Sequence, residues 1–330
     1  MKNISNKRSK IESEIRNLEN KDFDDCKWSS DVIRRLIDLS VRGKMFRGVI
    51  FLSAVESMDG PEALEYAAAI ELVHTGLLIH DDVMDDDEMR RGETALHKQY
   101  QREMEASSKT GENMAICAAD VAFFLAFELI TTSENFEPEA ARIFSRTFCK
   151  TGMGQMTDIE MSVPGAEPTR SEIEKLYTNK TALYTFSMPL QMASIVSGNG
   201  KSEKLDDIGT ELGVLYQLRD DSLDIFETDN TTGKPSKSDI KENKKTLHRK
   251  FLIESSENKK EVKKLFAGET NDEEASQAVN LMKENSIDEK VDSEIESRKK
   301  ELKDKINSLE NDNTAEVLDR TIEIALERNR

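Results

Sequence analysis

Two short stretches of this chain hold more like charge than an ordinary helix end needs. "DDVMD", Asp81 to Asp85, and "DDSLD", Asp220 to Asp224, share the spacing DDxxD far apart in the sequence. On a helix the first and last aspartates of each stretch lie one turn apart and project to the same side. Carboxylates this close raise one another's pKa, and they stay ionised together at neutral pH most easily with a cation among them. Ligation by carboxylate oxygen alone favours Mg²⁺ or Mn²⁺ over zinc, and Mg²⁺ prefers sites it shares with water and substrate phosphate. One such cluster in a chain of net charge −18 reads most simply as a solvated helix end. Two of them, each after an apolar run, point further. Arg90 and Arg91 follow the first, and Lys234 and Lys244 follow the second, so cations stand ready for an anionic substrate.

Helices must position these groups. "DGPEALEYAAAIELVHTGLLIHDD" has a cap in Asp59, a first-turn proline in Pro61 and an apolar pattern running to the aspartates, which predicts a long helix with its carboxylates at the far end. Residues 203–227 predict another, ending in "YQLRDDSLDIFE". Helical spacing also recurs over 9–20, 31–56 with a break at "VRGKMFRG", Met114 to Thr131, Pro138 to Met156 and onward, and Glu172 to Ser197. After a polar loop from Thr228 the chain from His248 is charged and amphipathic. Met153, Met156, Phe123 and Phe124 read most simply as core, with closing the floor of a cavity as the alternative for Phe123 or Phe124, and His80 and His97 read as structural.

The 330 residues have six prolines and no Pro/Gly/Ser-rich linker, so the expected architecture is all-α and a single domain over 1–330. Within it, 1–30 is an N-terminal helical segment, and 249–330 forms charged helices packed on the rest. Cys26, Cys117 and Cys149 are odd in number and widely spaced, which suits a reducing cytoplasm better than disulfides or zinc. The basic start leads into no apolar leader. The most apolar run, Met114 to Ile130, contains Asp120 and Glu128 and reads as too short to span a bilayer, so no transmembrane segment is expected. The acidic balance disfavours nucleic acid and anionic membrane.

The motifs fall into a familiar order. "GKMFRG", "HDDVMDDDEMRRG", "GMGQMTDI", "NKTALYTFSMP", "YQLRDDSLD" and "GKPSKSDIKENKKT" run from about residue 43 to 248. In this set the chain resembles the trans-isoprenyl diphosphate synthases, whose GKxxR, first aspartate-rich, GQxxD, KT and second aspartate-rich segments these match. Met45 and Gly48 depart from the Arg and Pro of many members, Ala119 stands where Gly-Asp is usual before Asp120, and "GETALH" lacks a proline. No charged ligand is lost.

The resemblance implies a bundle of about ten or more helices around a deep central cavity, the type I isoprenoid synthase fold. It implies a prenyltransferase that joins isopentenyl diphosphate to an allylic diphosphate (dimethylallyl, geranyl or farnesyl), with a homodimer as the usual assembly. Three Mg²⁺ ions would be held by Asp81, Asp85 and Asp220, with Asp224 in the second ligand cluster and Mn²⁺ as the alternative metal. Arg90, Lys180 and Lys244 would hydrogen-bond the leaving diphosphate, while Asp82, Asp221 and Asp224 act through water or neighbouring ligands. Lys44, Arg47, Arg91 and His74 would hold isopentenyl diphosphate without metal. Lys234 and Asp239 would frame the phosphate pocket, and Thr181 and Gln217 would line its hydrocarbon side.

In this family a bulky residue four or five positions before the first aspartate stops chain growth. Here those positions are Gly76 and Leu77, with Val73 and Ala69 below, which implies room beyond a farnesyl tail and a geranylgeranyl product, with geranylfarnesyl or longer next. Two rivals are weighed against this. A class I terpene cyclase generally has one DDxxD and lacks the isopentenyl site. A cation-binding helical scaffold or silent subunit would usually have lost aspartates, and all six stand here.

Overall fold

The computed structural model describes residues 2–21, 23, 27–163, 165–226, 238–266 and 270–326. The described chain is all-α apart from one short hairpin, and it divides into two compact units. One comprises Met1–Arg142 and Met192–Lys201; the other comprises Ile143–Gln191 and Ser202–Arg330.

The first unit is organised about α4 (Leu64–Met84), which packs on α1 (Lys2–Arg16), α2 (Ser29–Val41), α3 (Phe46–Ser57), α5 (Leu96–Glu103) and α6 (Ser108–Thr132). Every residue of α4 from Tyr66 to Gly76 is buried, as befits a helix apolar nearly all round. It begins at Leu64 with Ala63 before it, so Asp59 is no cap; Asp59 instead takes a left-handed turn, φ 56°, upstream. Between α4 and α5 a hairpin pairs β1 (Met89–Arg90) with β2 (Glu93–Thr94), an element the sequence left as a polar connection.

α6 is longer than its apolar run suggested. Its 25 residues make it the one described helix long and apolar enough to cross a membrane, which corrects the expectation that this segment is too short. Within the unit, however, Ala115, Ala119, Ala122 and Ala126 are buried on the side that meets α4 and α5. Its other face carries Cys117, Phe124 and Phe127 outward, with Phe124 76% exposed. Met153 and Met156, on α7 (Pro138–Ser162), are exposed too. The reading of Phe124, Met153 and Met156 as core fails because helical spacing cannot tell an inward apolar face from an outward one when a helix carries both.

The expected helix Glu172–Ser197 begins in the second unit as α8 (Arg170–Tyr177), passes through a π-helical stretch, Thr178–Ser187, and continues in α9 (Met188–Val196), whose residues from Met192 belong to the first unit. α10 (Glu203–Phe226) packs along the π-helical stretch. Two glycines permit that approach: a Cβ at Gly209 would fall 2.6 Å from Ser187 Cα, and one at Gly213 would collide with Ala182. The charged helix Ile287–Asn307 buries Ile287, Val291, Ile295, Leu302 and Ile306 along one seam and packs on α10. There Arg298 reaches Glu211 of α10 at 2.6 Å and Glu174 of α8 at 3.2 Å.

Candidate active site

The first acidic cluster straddles the C-terminal end of α4, and the fold sorts its members. Asp82 is 1% exposed and is bound by Arg90, whose guanidinium also takes Asp87 at 2.8 Å and lies 3.5 Å from Asp81. Burial pushes the Asp82 carboxyl up to about 6 although Arg90 pulls it down. Asp86 and Glu88 answer to a cation the sequence reading passed over, Lys98 on α5, at 2.7 and 3.2 Å. Much of this acidity is therefore structural. Asp81 and Asp85, one turn apart, remain at accessible positions.

A second group of cations gathers beside α4. Arg47 and His74 are buried, and Lys44 is exposed. Arg91 has φ 53° and donates to the Leu39 carbonyl oxygen at 2.6 Å. Its guanidinium lies against Gly43, where a Cβ would sit 2.7 Å from it, so the glycine of "GKMFRG" is needed for this contact. Among these cations is Glu71, which the sequence reading missed. It is buried, accepts the Gly48 N–H at 2.8 Å, and is raised by burial while Arg47 pulls it down. A lone Glu in the apolar run "AAAIELVH", one turn before His74, was the available signal. Burial and then the neighbouring Arg47 push His74 well below its ordinary value, so it is neutral at pH 7.

In the second unit α10 repeats the sorting. Asp220 is exposed, whereas Asp221 is buried. The Asp221 carboxylate accepts from the Tyr177 hydroxyl and from Gln217 Nε2 at 2.8 Å, and Gln217 Oε1 accepts the Thr181 hydroxyl at 2.7 Å. Asp224 accepts the Asp239 N–H at 3.0 Å. Lys180, in the π-helical stretch, binds Asp158 of the "GQMTD" segment. Asp158 closes the "GQMTD" segment, whose spacing alone gives it no partner.

The loop before Leu247 separates two adjacent lysines. Asn243 takes the left-handed region, φ 58°, which asparagine tolerates better than most residues. Its side chain donates to the Ser162 carbonyl oxygen at 3.0 Å and accepts from Arg249 at 2.8 Å. Lys245 turns inward, where burial pushes it down to about 8. Lys244 stands 3.6 Å from Asp239 and 2.7 Å from Glu242, and burial raises the Asp239 carboxyl to about 7. Lys234 lies outside the described residues.

The chain-length positions give a correction. Gly76 does not leave empty space: a Cβ there would meet Phe123 Cε1 at 2.5 Å, so the room the missing side chain opens is filled by that ring. Phe123 also packs edge-on against His80 with ring centres 5.3 Å apart. Leu77 is half-buried and Val73 buried.

Among the described residues no three His, Cys, Asp or Glu side chains converge on a point. Among those residues a closed metal cage of the zinc type is not prebuilt, whereas the exposed carboxylates of Asp85 and Asp220 suit a cation that keeps water and phosphate oxygens.

Comparison with known proteins places the chain. The polyprenyl synthetase family profile matches residues 27–282. A short chain isoprenyl diphosphate synthase of Methanothermobacter thermautotrophicus is 35% identical over 216 residues, 63% of this chain and 62% of that relative, so the match spans less than two thirds of its length. A geranylgeranyl diphosphate synthase of Methanosarcina mazei is 30% identical over 259 residues, 76% of this chain and 74% of its own. The crystal structure of geranylgeranyl pyrophosphate synthase from Corynebacterium glutamicum, complexed with isoprenyl diphosphate and magnesium, matches with a TM-score of 0.85 over 99% of both chains at 22% identity, a likeness of fold. With the profile running through both acidic helices and the motifs between them, the chain belongs to the polyprenyl synthetase family, that of the trans-isoprenyl diphosphate synthases.

Proposed function

We propose that the protein joins isopentenyl diphosphate to an allylic diphosphate, head to tail, and releases diphosphate. The primer is dimethylallyl, geranyl or farnesyl diphosphate, and the main product is geranylgeranyl diphosphate, with geranylfarnesyl or longer next. The observation that carries this reading is the sorting of the aspartates. In each DDxxD the second carboxylate is buried and bound by protein donors, while Asp85 and Asp220 are exposed and Asp81 and Asp224 half-buried. A helix end that was merely solvated would have no reason to repeat that division. Relatives named as geranylgeranyl, farnesyl and geranylfarnesyl diphosphate synthases support the class and leave the product to experiment.

Asp81, Asp85, Asp220 and Asp224 would hold the Mg²⁺ ions, three by resemblance, which when bound supply Lewis-acid stabilisation of charge developing on the leaving diphosphate. The remaining steps fall to the chain's own groups. Lys180 and Lys244, each held by a carboxylate in this structure, donate to the leaving diphosphate as the allylic carbon–oxygen bond breaks. Arg90 orders Asp82 and Asp87 and adds to that positive field. Arg47, Arg91 and Lys44 hold the second diphosphate, and Glu71 keeps two guanidiniums together without cancelling them. Neutral His74 adds hydrogen bonding without further charge. The terminal alkene carbon of isopentenyl diphosphate then bonds to the allylic carbocation, and the proton lost passes to released diphosphate, since no side chain among those named is placed as its base.

The reaction is assigned to the cytoplasm, which suits the exposed Cys117 and Cys149 thiols, and to a homodimer, which would cover the outward apolar stripe of α6. Incubation with labelled isopentenyl diphosphate and each primer, followed by chromatography of the products, tests the proposal. A single cyclic hydrocarbon would favour a cyclase, and no elongation from any primer would favour the scaffold.

A further inference from the structure

The hydrogen bonds around Asp221 form one directed chain across four segments. Thr181, in the π-helical stretch, donates to Gln217 on α10; Gln217 donates to one oxygen of Asp221; Tyr177, at the end of α8, donates to the other. The Tyr177 oxygen in turn accepts the backbone N–H of Leu247 at 3.1 Å. Leu247 opens the helix Leu247–Ser255, directly after Lys244, Lys245 and Thr246. Each polar atom in the chain is matched, and the order of donors fixes which way the Gln217 amide faces. Tyr177 itself is buried, and its ring has no other polar contact to make.

Resting on the function proposed above, we propose that Tyr177 is a positioning residue: its hydroxyl ties the second acidic helix to the start of the helix behind Lys244, and so sets that lysine against the leaving diphosphate. The second carboxylate of the motif is thus the anchor of the bridge, while Asp220 beside it stays exposed. Tyrosine suits the task because one rigid group can donate to a carboxylate and accept from a backbone N–H at once. Phenylalanine at this place keeps the packing and removes both bonds.

The test is the steady-state kinetics of Tyr177→Phe, its fold checked by circular dichroism. Leaving a buried carboxyl short of a hydrogen bond is worth roughly a tenfold change. The expected result is a kcat lowered about tenfold with a raised Mg²⁺ half-saturation and an unchanged KM for isopentenyl diphosphate, whose assigned ligands Lys44, Arg47, His74 and Arg91 belong to the other unit. General loosening of the protein would not select the Mg²⁺ dependence. Because Tyr177 acts through Lys244, adding Tyr177→Phe to Lys244→Gln should lower kcat little further. Wild-type kcat and Mg²⁺ dependence in Tyr177→Phe, or additive losses in the double variant, would overturn the proposal. Should Tyr177→Phe not fold, 4-fluorophenylalanine at 177 keeps the packing volume and removes the donor to Asp221, and wild-type values of both parameters there would overturn it equally. A wild-type chain that elongates no primer defeats the functional reading, and this proposal falls with it; an active wild type matched by Tyr177→Phe defeats the proposal alone.

Discussion

Gly152 and Gly154 sit two residues apart in α7, and replacing each by alanine should have opposite effects. At Gly152 a Cβ has nothing within 4 Å, so alanine gains only helix propensity, a stabilisation of up to about 1 kcal/mol. At Gly154 a Cβ would stand 2.8 Å from the backbone nitrogen of Lys180 and 3.0 Å from the carbonyl carbon of Asn179. Ordinary contact begins near 3.4 Å, so the π-helical stretch must yield by about 0.6 Å, and backbone cannot rotate aside as a side chain would. Overpacking of this kind costs roughly 1–3 kcal/mol against a propensity gain of up to about 1 kcal/mol, so Gly154→Ala should be net destabilising by up to about 2 kcal/mol. The displaced atoms belong to Lys180 itself. Since misplacement by about 1 Å can cost a hundredfold in rate, kcat should fall about tenfold in Gly154→Ala and hold in Gly152→Ala. Thermal unfolding followed by circular dichroism and initial elongation rates read both effects. Equal stability and equal kcat in the two variants would refute the claim that Gly154 seats Lys180.

Other outcomes follow from single contacts. Phe123→Ala removes the ring that fills the space at Gly76 and should shift products to longer chains on chromatography; an unchanged distribution removes Phe123 as the wall. Phe124→Glu places a charge on the outward stripe of α6 and should convert a dimer to monomers by light scattering, whereas an unaltered mass would place the contact elsewhere. His248 is buried against Ser222 at 2.8 Å, and burial pushes it down to about 3. Its folded pKa lies below its unfolded one, so stability is unaffected above about pH 6.5 and falls from there toward pH 3, by about 1.4 kcal/mol per unit. Between pH 7 and 5 the wild type should therefore lose about 2 kcal/mol more than His248→Gln in denaturant unfolding, and equal losses would contradict the assignment.

The sequence made the helices and both acidic clusters legible because long apolar periodicity and DDxxD spacing are local signals. It could not divide the cluster at Asp81 into working and structural carboxylates, since Lys98 and Arg90 reach their partners only after the hairpin folds back. Glu71 and Asp158 had traces in the sequence, a lone acid in an apolar helix and the last residue of a known segment. Tyr177 had none: its bond to Leu247 joins residues 70 apart, and the register of a π-helical stretch is invisible to spacing rules built on the α-helix. The reading of Gly76 as open space failed for a related reason. A glycine removes a side chain from its own helix, but whether space results depends on the neighbour, here Phe123.

In the proposed reaction the outer carboxylates of both motifs act through divalent cations. The most direct test of this is the elongation rate as a function of Mg²⁺ for the wild type, Asp81→Asn and Asp220→Asn. The expected result is no activity in chelator, saturable activation of the wild type, and a loss of at least a hundredfold in each variant, of the order expected when charge stabilisation at the leaving group is removed. Elongation that persists in chelator, or that survives either substitution undiminished, would contradict it.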